Sequence, residues 1–167
     1  MSSGIIVRPA RTADVRAIRS LIDFYSPDGR LLSKATVTLF EDILEFLVAE
    51  VEGEVVACGA LHVMWEDLAE VRTLAVDPAR AGQGIGSAVL SALMDRARDV
   101  GVKRVFCLTF AVPFFARHGF VVIDDTPIDH DVYQQLLQSY DEGVAEFLGL
   151  ERVKPNTLGN HRMLASL

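Results

Sequence analysis

Three glycines spaced two residues apart, Gly82, Gly84 and Gly86, stand where an apolar strand gives way to a helix. The stretch runs Glu70-Val71-Arg72-Thr73-Leu74-Ala75-Val76-Asp77-Pro78-Ala79-Arg80-Ala81-Gly82-Gln83-Gly84-Ile85-Gly86-Ser87. It opens apolar and β-branched, stops at Asp77-Pro78, and turns through the glycines into a helix expected to reach about Val100. Glycine has no Cβ, so the backbone here approaches a ligand closely. The first amides of the new helix point into that space with the positive end of the helix dipole behind them. Such a turn binds phosphate or pyrophosphate. The spacing is not the G-x-G-x-x-G of a dinucleotide fold after a first strand. Nor is there the Gly-Lys-Ser/Thr of an ATP-binding P-loop.

The elements that would hold this turn follow from pattern. Ile5-Ile6-Val7-Arg8 reads as a first strand. Thr12 is expected to cap a helix whose apolar positions Val15, Ile18, Leu21, Ile22 and Tyr25 keep a 3.6-residue period. Ser26-Pro27-Asp28-Gly29 is turn chemistry, and a second helix is expected from about Thr36 to Leu44 with Val37, Phe40 and Leu44 on one face. Phe46 to Glu50 and Val55 to Trp65 read as strands joined by a tight turn at Glu52-Gly53-Glu54. After Glu66-Asp67, Ala69 to Val76 is a further antiparallel strand. The helix after the glycines is amphipathic, with Ile85, Val89, Leu93 and Ala97 on one side, and Gly101 stops it. Arg104 to Thr109 reads as a buried strand parallel to 69–76 through a helical crossover. A short helix is expected near Val112 to Arg117, a strand from Gly119-Phe120, a helix over Val132 to Gln138 and a last strand over Arg162 to Leu167. Asp141 to Asn160 shows no regular pattern. A run of antiparallel strands feeding one βαβ unit makes an α+β (mixed α/β) fold, not a doubly wound sheet.

With 167 residues, half of them hydrophobic, the chain is expected to form one domain, residues 1–167, with a sizeable core. No apolar run approaches the ~18 residues of a membrane span, and the N-terminus lacks the pattern of a signal peptide. Cys58 and Cys107 lie within apolar runs and read as buried reduced thiols, which points to the cytoplasm. A net charge of −7 argues against nucleic acid or an anionic membrane as a partner. His62, His118, His130 and His161 are scattered, and no spacing suggests a metal.

The glycine turn resembles the coenzyme A loop of the GNAT acyltransferase superfamily, [Gln/Arg]-x-x-Gly-x-[Gly/Ala]. Gly84 and Gly86 match its later positions, Ala81 stands where Gln or Arg is expected, and Arg80 is displaced by one. A second segment, Phe114-Phe115-Ala116-Arg117-His118-Gly119-Phe120, resembles the superfamily's Tyr-x-x-x-Gly-Phe, with Phe115 at the tyrosine that protonates the departing thiolate in many members. Phenylalanine has no proton to give. The resemblance implies a mostly antiparallel sheet with flanking helices and one splayed parallel strand pair, here 69–76 and 104–109. It places acetyl-CoA against Leu74, Ala75 and Val76, the loop Ala81, Gly82, Gln83, Gly84, Ile85, Gly86 and Ser87, and Phe115, and it implies no metal.

A closer resemblance is to the acetyltransferase domain of N-acetylglutamate synthase in a single-domain form. It rests on Ala-Cys-Gly-Ala-Leu-His at 57–62, Ala-Glu-Val-Arg-Thr-Leu-Ala-Val at 69–76, Arg-Val-Phe-Cys-Leu-Thr at 104–109, Phe-Phe-Ala-Arg-His-Gly-Phe at 114–120, and the tail from Lys154. What it implies is acetyl transfer to the α-amine of L-glutamate, with glutamine second, at the entry to arginine synthesis. A homodimer is compatible with the superfamily. An α-amino group with a pKa near 8 must lose a proton before it attacks a thioester. Glu70 is the expected base, a backbone N–H near Leu74 the oxyanion donor, and Thr109 the candidate proton donor to the thiolate. For the acceptor's carboxylates the candidates are Lys34, Arg72, Arg162 and Lys154, and Thr73 is also expected to bind the acceptor. Glu70 and Arg72, two residues apart on a strand, can share a face. His161 stands where the family has serine. His62 and Trp65 are read as core packing, with the acceptor pocket as the alternative. His118 is expected at a helix end, complementing the dipole. Neither cysteine has an activating base nearby in sequence, so direct transfer is expected over an acetyl-enzyme. The rivals are an acetyltransferase of another amine and a non-catalytic acyl-CoA sensor.

Overall fold

The computed structural model describes residues 4–28, 34–149 and 160–167. The chain runs β1 (Ile6–Pro9), α1 (Val15–Tyr25), α2 (Thr36–Glu41), β2 (Phe46–Val51), β3 (Glu54–Trp65), β4 (Leu68–Val76), α3 (Ile85–Val100) and β5 (Arg104–Thr109). It continues through α4 (Val112–Ala116), β6 (Val121–Ile123), α5 (His130–Leu136), α6 (Glu142–Leu148) and β7 (His161–Ser166). The strands form one sheet of order β1-β2-β3-β4-β5-β7-β6. The β1–β2, β2–β3, β5–β7 and β6–β7 pairs are antiparallel and β4–β5 is parallel, as expected. The β4–β5 register couples Leu68, Ala69 and Glu70 to Arg104, Val105 and Phe106. The chain divides into two compact units, the first holding the residues up to His62 with Val71–Val100, the second Val63–Glu70 with Gly101–Leu167.

In the first unit, Val15, Ile18, Leu21 and Ile22 of α1 are buried with Leu39, Phe46 and Val48. The long helix α3 buries Ile85, Val89, Leu90, Leu93, Met94 and Ala97. Gly59 on β3 is what allows α3 to come close. A Cβ there would lie 2.9 Å from Leu93 Cδ1 and 3.0 Å from Val89 Cγ1. The β2–β3 turn places Glu52 at φ 53° and Gly53 at φ 81°, both left-handed as a type I′ hairpin requires. Two expectations fail here. Thr12 does not cap α1: a 3-10 turn over Thr12–Asp14 precedes the helix, and the Asp14 carboxylate accepts the Arg11 N–H at 2.7 Å. Arg8 donates to both Asp14 oxygens, at 2.8 and 3.0 Å, and also pairs with Glu50. Its guanidinium holds the Asp14 carboxyl below the usual range. The second helix ends at Glu41, followed by a 3-10 turn over Ile43–Glu45. Its expected apolar face, Val37, Phe40 and Leu44, is exposed. Leu39 and Ile43, four residues apart, are buried instead.

In the second unit, β7 pairs with β5 from Arg104↔Ser166 to Thr109↔His161, and with β6 from Val121↔Leu164 to Ile123↔Arg162. Met64, Leu68, Phe106, Leu136, Val144, Phe147 and Leu148 form its core. Phe106 and Phe147 meet edge to face with centroids 4.7 Å apart. Phe147 belongs to α6, which lies in the stretch read as irregular. The helix has seven residues, with a buried glycine, Gly143, in its first turn. The signal was present: Asp141 caps it by accepting the Val144 N–H at 3.0 Å, and Val144, Phe147 and Leu148 keep the helical spacing. Helix α5 begins two residues earlier than expected because Asp129 accepts the Val132 N–H.

Candidate active site

In the first unit the β4 segment from Val71 to Val76 leads into the glycine turn. Tyr25 Oη donates to the Val76 carbonyl at 2.5 Å and the Asp77 N–H donates to Val56 at 2.8 Å, fixing the end of the strand. A 3-10 turn over Pro78–Arg80 follows, capped by Asp77, which accepts the Ala79 N–H at 3.0 Å. Gly82 and Gly84 have φ of 78° and 77°, and a Cβ at either would meet nothing within 4 Å. Glycine is therefore needed at these two positions for conformation, while the space above them stays open. Gly86 lies in the first turn of α3, outside the left-handed region. Ala81, Gly82, Gln83 and Gly84 are exposed, Ile85 is buried as the anchor, and Gly86 and Ser87 are half-buried. The helical ladder starts with the Ala88 N–H on the Gly84 carbonyl at 3.1 Å, so the amides of Ile85 and Gly86 precede it.

Upstream, Thr73 has φ 57° in the middle of β4 and is 8% exposed. A β-branched residue in the left-handed region is an outlier that surrounding structure must enforce. It turns the chain between half-buried Arg72 and half-buried Leu74, whose side chain packs close to Gly59. Ala75 is buried and Val76 half-buried. Lys34 is half-buried, and its carbonyl accepts the Arg19 guanidinium. The loop residues Arg30, Leu31, Leu32 and Ser33 and the tail residue Lys154 lie outside the described residues. His62 is not core packing: its Nδ1 lies 2.7 and 3.0 Å from the two Glu45 carboxylate oxygens.

In the second unit Glu70 is 4% exposed, on the β4 segment paired with Phe106. Its negative charge adds to burial in pushing the Cys107 thiol up. Thr109, half-buried at the end of β5, accepts the Ala111 N–H on Oγ1 at 2.8 Å, a strand-end role that leaves its hydroxyl proton to donate. Phe115 is buried in an edge-to-face row with Phe114 and Phe120, each centroid 5.2 Å away. Arg162 donates to the Phe147 carbonyl at 2.7 Å and to Thr126 Oγ1 at 3.4 Å, so it closes the C-terminal end of α6. Burial lowers its pKa, with Glu146 and Asp125 acting the other way. His161 is exposed. Trp65 is not core: at 37% exposure it lines a cleft of about 680 Å³ with Asp67, Arg104, Pro127 and Val132. His118 follows the five-residue α4 and packs on Phe114 at 5.2 Å. So short a helix offers little dipole to complement.

Cys58 and Cys107 are free and buried. Burial pushes Cys58 up to about 12, and Cys107 further in the same direction. Neutral buried thiols are poor nucleophiles. Among the described residues no group of three or more His, Cys, Asp or Glu side chains could hold a metal ion, and no helix is long and apolar enough to cross a membrane. The left-handed Thr73 was not legible in sequence, because nothing about threonine in a strand pattern signals it.

The mixed sheet, with β4 leading into an open glycine turn and the long helix α3, fits an acyltransferase fold. The chain belongs to the acetyltransferase (GNAT) family, whose model matches residues 16–120, and it is an acetyltransferase. Within the family it is similar to an amino-acid acetyltransferase of Mycobacterium tuberculosis, 55% identical over 166 residues, covering 97% of this chain and 94% of that protein. It is similar to the crystal structure of a Mycobacterium tuberculosis protein in complex with CoA and NLQ, with TM-score 0.93, 55% identity, and 97% and 99% of the two chains covered. The fold also matches N-acetylglutamate synthase from Neisseria gonorrhoeae complexed with coenzyme A and N-acetyl-glutamate, with TM-score 0.79 and 24% identity. That match spans all of this chain but 36% of the larger protein.

Proposed function

We propose that this chain, acting as a single acetyltransferase domain, transfers the acetyl group of acetyl-CoA to the α-amine of a small amino acid. L-Glutamate is the first acceptor in this reading and glutamine the second, which would place the reaction at the entry to arginine synthesis. The observation that carries it is Glu70: a carboxylate 4% exposed, on the strand that continues into the glycine turn. The likeness to an amino-acid acetyltransferase over 97% of the chain supports the choice of acceptor class.

In the proposed mechanism the coenzyme's diphosphate takes main-chain N–H groups of the turn from Gln83 to Ser87. The open space over Gly82 and Gly84 favours this. Glu70 accepts a proton from the acceptor's ammonium, directly or through water. The free amine attacks the thioester carbon, and a C–N bond forms as the carbonyl oxygen gains charge. A main-chain N–H near Leu74 stabilises that oxygen. The tetrahedral species loses its second N–H proton to water as it collapses, the C–S bond breaks, and the thiolate takes a proton from water, directly or relayed through the Thr109 hydroxyl, which water then reprotonates. Lys34 and Arg72 beside Thr73 would hold acceptor carboxylates. Arg162 already spends donors on Phe147 and Thr126 and is a weaker candidate. Transfer is direct, since both thiols are buried and held neutral.

The test is a panel of glutamate, glutamine, aspartate and arginine, followed by thiol release from acetyl-CoA. Turnover with an acidic amino acid or its amide is expected. Turnover confined to arginine or another cationic amine would redirect the acceptor assignment. Tight acetyl-CoA binding with no turnover on any amine would favour a sensor.

A further inference from the structure

Cys58 has no place in the proposed chemistry, yet it is fully buried and its Sγ lies 3.4 Å from the Thr73 carbonyl oxygen, toward which the thiol donates. One side chain on β3 thus grips the main chain immediately before Leu74. The grip falls on the one stretch of β4 where the backbone leaves the extended region, at Thr73 with φ 57°. A strand residue in that conformation takes its carbonyl out of line with the ladder, and buried main-chain groups need partners. Thr73 is 8% exposed and offers little access to water.

We infer that Cys58 is a positioning residue: its thiol holds the left-handed turn at Thr73 and so aims the Leu74 N–H at the oxygen that becomes negative during acetyl transfer. This rests on the acetyl-transfer reading above. Burial favours the neutral thiol, so the donor keeps its proton at neutral pH. Serine would keep the hydrogen bond with a smaller atom, whereas alanine would remove it. Without the grip, threonine relaxes toward extended backbone, because the left-handed region is costly for a β-branched side chain. Glycine at the same position holds a positive φ at little cost.

The experiment is a double-mutant cycle on the full chain, read as kcat and as KM for both substrates. In the Thr73 background, Cys58→Ala should lower kcat about three- to tenfold, the rate equivalent of one modest hydrogen bond. Both KM values should stay within about twofold, and Cys58→Ser should keep kcat within about twofold of the parent. In a Thr73→Gly background, the further change Cys58→Ala should have little effect on kcat. An equal loss in both backgrounds, or no loss with Thr73 present, would overturn the inference. A crystal structure of Cys58→Ala supplies a readout independent of activity: Thr73 should leave its positive φ, and retention of about 57° would sink the idea. If the parent protein transfers acetyl to no amine, the functional reading fails by itself, and the Thr73 backbone angle still decides the contact.

Discussion

Under the proposed mechanism the two units contribute by different means. The first works through the main chain: two left-handed glycines, a left-handed threonine and the opening amides of α3. The second works through side chains: the buried Glu70 carboxylate and the Thr109 hydroxyl. The difference teaches where substitution is tolerated. A site made of amides is insensitive to side-chain identity unless the backbone angle changes, whereas a site made of functional groups loses its chemistry with a single atom.

Glu70→Gln should sharpen that contrast most. Removing the base is expected to lower kcat about 10²- to 10⁴-fold. Coenzyme A affinity, measured by calorimetry, should stay within about twofold, and a matching loss of affinity would contradict the division. Gly84→Ala comes next. Its Cβ meets nothing, so any effect must come from strain at φ 77°. Coenzyme A affinity should weaken about tenfold, as expected from roughly 1–2 kcal/mol of left-handed strain. Gln83→Ala, one residue away with an exposed side chain, should stay within about twofold. If the two variants behave alike, the turn does not bind through its backbone.

Stability tests come third and fourth. Gly59→Ala would bring a methyl within 2.9 Å of Leu93 Cδ1 and 3.1 Å of Leu74 Cδ1, and should cost about 1–3 kcal/mol in denaturant unfolding. Arg162→Ala should cost about 1–2 kcal/mol through the lost Phe147 and Thr126 bonds, with little change in acceptor KM. A large rise in that KM with stability intact would return Arg162 to the acceptor site.

The last effect is alkaline. A thiol ionises near 9 in the unfolded chain, while burial pushes Cys58 up to about 12. Between those values the native state binds more protons than the unfolded state, so stability falls as pH rises through this window. Cys58→Ala should flatten the slope of unfolding free energy against pH between about 9 and 12.

Legibility in sequence followed the same division. The long α3, with its apolar period and its Gly101 stop, was readable because sixteen residues give the pattern room. The strand pair β4–β5 and its parallel sense followed from the crossover helix. Short elements were harder. Helix α6 has seven residues with glycine in its first turn, and α2 packs through Leu39 rather than through its more numerous apolar side chains. The glycines were legible as a type at a spacing, and Glu70 entered through the family resemblance. The Cys58–Thr73 contact was not, because a residue of β3 and one of β4 are brought together by pairing that no local pattern encodes. The Arg8–Asp14–Glu50 network was missed for the same reason, its partners lying 6 and 42 residues apart.

Trp65 is the only tryptophan in the chain, and it lies part-exposed in the cleft of the second unit, near the carboxylates of Glu66, Asp67 and Asp129. Its fluorescence is therefore a local gauge built into that half of the molecule. Carboxylates draw cations and repel anions, so caesium should quench the indole emission more efficiently than iodide. Urea would erase that preference at the moment the cleft comes apart.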